Sequence, residues 1–141
     1  MTPAQIDLVK QSWRQTVTAT PPLSEVFYAR LITLEPDLRA LFCNDMRLQQ
    51  KKLSDTLGII IEHLDKPADL TSTIRALGVR HSGYGVRDEH YALVEQALIQ
   101  ALRDCLGQAF EPATEQAWRL AYRALAEAMS TADIDSLMYP G

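Results

Sequence analysis

Leu70-x3-Ile74-x2-Leu77-x3-His81, set in the string Leu77-Gly-Val-Arg80-His81-Ser-Gly-Tyr84-Gly-Val86, decides how this chain is read. The apolar spacing is that of one helix face, and His81 closes it, so an imidazole is expected on the buried side at a helix end. A second stripe, Gln49, Leu53, Leu57, Ile60 and Leu64, begins thirty-two positions before His81. It turns a carboxamide inward from another helix. The adjacent Gln50 is rotated by about 100° from that face and competes less well for the inward place. Buried polar groups need partners, so an inward histidine and an inward glutamine on separate helices imply a bound group between them.

The rest of the chain reads as helix in both directions from these two stripes. Thr2 with Gln5 three positions on is a capping-box signature, and Pro3 takes the first helical position. Ile6, Val9, Trp13 and Val17 share one face. Thr20-Pro21-Pro22 ends that helix, and Leu23, Phe27, Leu31 and Leu34 form the next stripe. Pro36 opens a short turn of helix ending at Phe42, and 44–47 read as a polar loop. The Gln49 helix runs to about Asp65 and is closed by Lys66-Pro67. The His81 helix stops at Gly83-Tyr84-Gly85. Asp88 caps a long helix with Tyr91, Val94, Leu98 and Leu102 inward, and Gly107 ends it. Pro112 opens the last helix, with Trp118, Tyr122, Leu125 and Met129 inward. Trp13, Trp118 and Tyr122 read as packing residues. The periodicity fades from Ser130, so 131–141 are expected to form a loose tail. Seven or eight unequal helices with short connections fit helices crossing steeply around a pocket better than a regular four-helix bundle.

The 141 residues suffice for one domain, 1–141, with its core in 3–130. Hydrophobic content of 47% beside 23% charged residues fits a folded soluble chain. The net charge of −4 and the lack of a basic stripe argue against nucleic acid as a partner. No apolar run approaches the ~20 residues of a membrane span. The N-terminus lacks the basic-then-apolar pattern of a secretory signal, and Cys43 and Cys105, without a CxxC motif, read as free thiols in a reducing cytoplasm. His63, at the far end of the Gln49 helix, and His90, in the first turn of its helix, read as surface residues.

Ser12-Trp13, Val26-Phe27-Tyr28, Glu35-Pro36, Leu41-Phe42, Gln49-Gln50-Lys51-Lys52-Leu53, Arg80-His81-x-x-Tyr84-Gly85-Val86, His90-Tyr91 and Ala117-Trp118-x-x-Ala121-Tyr122 succeed one another along the chain. Each string is weak alone; their order and spacing are specific. In them the chain resembles a single-domain bacterial globin, similar to the globin part of flavohaemoglobins and to the haemoglobins of microaerobic and methane-oxidising bacteria. The resemblance implies an all-α globin fold around a haem pocket. It implies His81 as the proximal iron ligand, Phe42 against the haem edge, Tyr28 and Gln49 as a distal hydrogen-bonding pair, and Leu53 as the apolar residue above the iron. Lys52 and Arg80 fall near the haem propionates, and Tyr84 and Tyr91 complete the cofactor-binding set. On pattern alone Tyr28 is a core tyrosine, and a lone histidine is a core histidine; the matched context argues for the functional roles. Without CxxCH the haem is expected to be a non-covalent b-type. In such relatives the Tyr91 position works with a late glutamate to hydrogen-bond the proximal histidine, which raises its basicity. Here the spacing from Tyr122 gives Asp133, a shorter acid, and Glu127 is poorly spaced to replace it.

A histidine-ligated haem with one open axial position binds O2, NO or CO. The expected function is reversible O2 binding for storage, delivery or scavenging. The alternative is NO dioxygenation, or a peroxidase-like activity, supported by a separate reductase because no flavin or nicotinamide domain follows. A gas sensor would need an output domain. A haem-free helical interaction protein would leave inward His81 and Gln49 unexplained.

Overall fold

The computed structural model describes residues 1–41, 45–83 and 88–138, and the side chains among these except 41, 67, 79–83, 88 and 130–138. Among the described residues the chain is all-α. There are six α-helices: α1 (Pro3–Val17), α2 (Leu23–Leu34), α3 (Met46–Glu62), α4 (Thr71–Gly83), α5 (Asp88–Leu106) and α6 (Pro112–Met138). Three short 3-10 segments lie between them, Pro36–Leu41, Pro67–Leu70 and Gly107–Ala109; the first is the short turn of helix expected at Pro36, which with the six α-helices gives seven.

Local chemistry sets the boundaries. Thr2 and Gln5 exchange the two capping-box hydrogen bonds, at 2.9 and 3.1 Å, at the start of α1. The carboxylate of Asp45 accepts from the N–H groups of Arg47 and Leu48, so α3 begins at Met46, inside the stretch expected to be loop. Gly107 carries the positive φ of 56° that closes α5. Helix α6 runs on to Met138, past Ser130 where the apolar stripe fades.

The helices pair in a pattern that separates α3 from α4. Helix α2 lies on α5, α1 on α6, and α3 on α1 and α2, while α4 lies chiefly on α6. The larger apolar cluster joins Val9 and Trp13 of α1, Leu23, Phe27, Tyr28 and Leu31 of α2, Ile61 of α3, Ala97 to Ile99, Ala101 and Leu102 of α5, and Ala117 and Trp118 of α6. Ala97 and Ala101 are fully buried and let α2 come close to α5. A smaller cluster of Ile60, Leu70, Leu77 and Met129, with Ile74, Tyr91 and Leu125 against it, holds α4. Within it, α4 touches α6 backbone to backbone. A methyl group built on Gly78 would overlap the carbonyl of Met129, with Met129 Cα and C both 3.1 Å away.

Buried polar atoms are satisfied. The indole of Trp118 donates to Ser12 Oγ at 2.8 Å, and Ser12 donates to the Leu8 carbonyl at 2.6 Å, joining α6 to α1. No buried polar side-chain atom among the described residues lacks a partner. Outside, Lys10–Asp65 and Arg14–Glu62 tie α1 to the end of α3, and Arg30–Asp104 ties α2 to α5. The Lys10 ammonium holds the Asp65 carboxyl below its usual range. An α5–α6 ladder joins Arg103 to Glu115, and Arg119 and Arg123 to Glu95. Such exposed pairs contribute at most about 1 kcal/mol each. Among the described residues no helix is long and apolar enough to cross a membrane.

Candidate functional site

Tyr28 is placed by α2. Pro22 starts the helix, the Leu23-Phe27-Leu31 stripe faces the core, and Tyr28 sits beside that stripe at 5% exposure. Its ring stands edge-on to Phe27, with centroids 5.0 Å apart and planes at 73°. Gln49 is placed by α3. The Asp45 cap fixes the first turn, and the Gln49 N–H bonds the Asp45 carbonyl at 3.1 Å. The side-chain amide Nε2 of Gln49 then donates to Tyr28 Oη at 3.2 Å. Of the two adjacent glutamines it is therefore Gln49 that meets Tyr28. Leu53, one turn on, is half-buried and packs against the larger cluster with Leu57. Leu48 and Lys52 of the same helix are exposed. The structure thus joins Phe27, Tyr28 and Gln49 in one polar-and-apolar corner between α2 and α3, with Leu53 one turn along α3 from Gln49.

That corner has a definite chemistry. A phenol carries an O–H donor and an acceptor oxygen, and a carboxamide carries two N–H donors and a carbonyl acceptor. Tyr28 and Gln49 are suited to presenting hydrogen-bond donors to a small polar ligand at an otherwise apolar wall.

On the other side, the backbone of His81 lies in the last turn of α4, one turn beyond Gly78. The side chains of His81 and Arg80 are outside the described residues, and so are Phe42 and Tyr84 altogether. Tyr91, in the first turns of α5, is half-buried against the Ile60–Leu70–Leu77–Met129 cluster. Its backbone carbonyl accepts a 2.6 Å hydrogen bond from the hydroxyl of Tyr122. Burial, with Tyr91 and Glu95 nearby, pushes the Tyr122 hydroxyl well above the usual phenol range, so it stays a donor. Tyr122, expected from sequence to pack only, thus also supplies a hydrogen-bond donor. The signal available was its inward hydroxyl, which had to find an acceptor. Asp133 lies on α6 with its side chain outside the described residues, and Glu127 is exposed. His63 is exposed, with Nδ1 2.8 Å from the Ile59 carbonyl, and His90 is half-buried in the first turn of α5. Cys105 is a free thiol; burial first, and the Asp104 carboxylate second, raise its pKa.

Comparison with known proteins gives a consistent result. The family profile described as Globin matches residues 25–129. The flavohemoprotein of Bordetella pertussis is 34% identical over 125 residues, covering 81% of this chain and 31% of that protein. The flavohemoprotein of Vibrio cholerae is 28% identical over 130 residues, covering 90% of this chain and 33% of that protein. The chain therefore spans about a third of the length of these relatives. Among solved structures, an engineered carbene transferase made from a protein named as a nitric oxide dioxygenase of Rhodothermus marinus superposes with a TM-score of 0.86 at 28% identity, over 98% of this chain and 96% of that one. A bacterial globin of Campylobacter jejuni superposes with a TM-score of 0.84 at 21% identity, over 98% of this chain and all of that one, and shows the shared fold.

Proposed function

This chain belongs to the globin family, and from that premise we propose that it binds O2 reversibly at a b-type haem held between α3 and α4. Globins are haem proteins of diatomic gases, and the residues of this chain fit that group. Inward hydrogen-bond donors on α2 and α3 meet apolar neighbours, and α4 is carried on a different partner helix. When bound, the haem would supply an iron that takes O2, NO or CO. His81, on the last turn of α4, would hold the iron. By the family resemblance Phe42, Leu53, Tyr84 and Tyr91 would be the ring-packing residues, and Lys52 and Arg80 the partners of its propionates. Tyr28 and Gln49 do the discriminating work. O2 in the site is the most polarised of the neutral gases, so it gains most from donated hydrogen bonds.

The observation that carries this reading is the 3.2 Å hydrogen bond from Gln49 to Tyr28 Oη. A charge-assisted hydrogen bond is worth about 1.5–3 kcal/mol, which corresponds to roughly 10- to 150-fold slower ligand escape. The test is ligand dissociation from Tyr28→Phe: O2 release accelerates within that range while CO release changes little. Equal acceleration of both gases makes Tyr28 a steric residue only. The role proposed is O2 storage, delivery or scavenging, in the cytoplasm.

The similarity to flavohemoproteins, and to a protein named as a nitric oxide dioxygenase, favours a second reading: NO dioxygenation or peroxidase-like chemistry fed by a separate reductase. Stopped-flow mixing of the oxygenated protein with NO separates the two. Sustained nitrate formation in the presence of a reductase selects the enzyme. A single turnover followed by slow re-reduction selects the carrier.

A further inference from the structure

Glycine inside a helix costs about 1 kcal/mol relative to alanine, so a mid-helix glycine needs a reason in packing. Helix α4 is short and starts with Thr71-Ser72-Thr73, residues of modest helix propensity, and Gly78 falls near its middle, five residues before its end at Gly83. The reason is on α6. The space that a side chain at 78 would take is filled by the Met129 carbonyl, and Met129 Cα and C stand 3.1 Å from the same point. These are backbone atoms of a continuous helix, so they cannot swing aside as a side chain would. A residue larger than glycine forces the two helices apart by about an ångström, because packed interiors have little free volume to absorb it. Gly58 of α3 offers the contrast: a methyl there meets only the Trp13 ring, at 3.7 and 3.8 Å, in ordinary contact.

His81 lies three residues beyond Gly78 on α4, and α4 rests chiefly on α6. Among the described residues, Leu77 of α4 and Met129 of α6 lie in one cluster with Ile60 of α3 and Leu70, separate from the larger cluster. The seat of α4 on α6 is therefore the local reference for the height of its last turn. We infer that Gly78 is the positioning residue for the iron ligand: the bare backbone contact between Gly78 and Met129 fixes where α4 stands, and with it the reach of His81 to the iron. This rests on the reading of His81 as the proximal ligand. The contact is made by Gly78 and backbone atoms of Met129, neither of which belongs to the cofactor-binding set, so the inferred role is one of positioning.

The haem-loaded full chain is the material for the test, and the Fe–histidine stretching band of the ferrous unliganded protein is the readout. Gly78→Ala is expected to shift or split that band and to lower Tm by on the order of 5–10 °C, the usual effect of overpacking. Gly58→Ala is expected to leave the band in place and to raise Tm. If Gly78→Ala does not fold by itself, it is made in the Gly58→Ala background, whose added helix propensity offsets part of the loss. A band and Tm for Gly78→Ala that follow Gly58→Ala overturn the inference. His81→Gly with added imidazole separates the inference from the reading beneath it. There the ligand is no longer attached to α4, so Gly78→Ala should leave the imidazole band unmoved; a shift equal to that in the tethered protein shows that Gly78 does not act through His81. If His81→Gly keeps its Fe–histidine band without imidazole, the ligand assignment itself has failed, and the positioning role falls with it.

Discussion

Tyr28 and Gln49 form a pair rather than two separate donors, because the amide of one ends on the oxygen of the other. Removing either disturbs both. Gln49→Leu is expected to speed O2 release in the same direction as Tyr28→Phe, and the double variant to fall short of the sum, since contacting residues couple by about 0.5–3 kcal/mol. Dissociation rates for the two single variants and the double variant measure the coupling; simple additivity would show two independent donors. Tyr122 gives a different residue-scale prediction. Its hydroxyl titrates higher in the folded chain than in the unfolded one, whose reference value is 10.0. A group with a raised folded pKa contributes stability fully below its unfolded pKa, and that contribution is lost as pH rises through the folded value. Stability is therefore expected to fall progressively above about pH 10 through this group. Denaturant unfolding of Tyr122→Phe should show a flatter dependence over that alkaline range; an identical slope would place the titration elsewhere.

At the scale of elements, α1 and α6 are joined by a buried relay in which Trp118 donates to Ser12 and Ser12 to the Leu8 carbonyl. Ser12→Ala leaves the indole N–H buried with no acceptor, a cost of about 1–3 kcal/mol. Thermal unfolding should show a loss of roughly 3–10 °C; an unchanged Tm would mean that the indole finds another acceptor. The helices themselves were legible in the sequence, because each carries an apolar stripe at 3.6-residue spacing bounded by Thr2-Pro3, Pro21-Pro22, Pro36, Pro67, Gly107 and Pro112. The start of α3 was not: Asp45 looks like a loop residue until its carboxylate is seen holding two N–H groups. The continuation of α6 past Ser130 was hidden for a similar reason, since backbone hydrogen bonding needs no apolar face. In the candidate site, the inward face of Gln49 was legible from Leu53 and Leu57, but its bond to Tyr28 was not, because it depends on how α2 and α3 cross. The Tyr122 hydroxyl bond and the Gly78 contact escaped for that reason too. Both are made between elements distant in sequence, with backbone atoms that no residue pattern marks.

At the scale of the molecule, the haem is expected to be part of the fold as well as the site. His81→Ala should purify with little haem, or with iron lacking the histidine band; wild-type ferric and ferrous–CO spectra would remove His81 as ligand. A group that binds only the folded chain stabilises it by mass action, about 2.7 kcal/mol when the ligand is a hundredfold above its dissociation constant. The division of the interior into two clusters says where the haem-free chain should give way. Among the described residues, the larger cluster draws on α1, α2, α3, α5 and α6 and takes nothing from α4. Among the described side chains of α4, Leu77 and Ile74 are the ones in the smaller cluster. Backbone amides of such an element exchange with solvent through local opening, without waiting for the whole chain to unfold. In the haem-free protein, deuterium should enter α4 while α2 and α5 are still protected, and haem should slow the α4 amides far more than theirs. The helix that carries the iron ligand would then be the part of the molecule whose order the cofactor itself supplies.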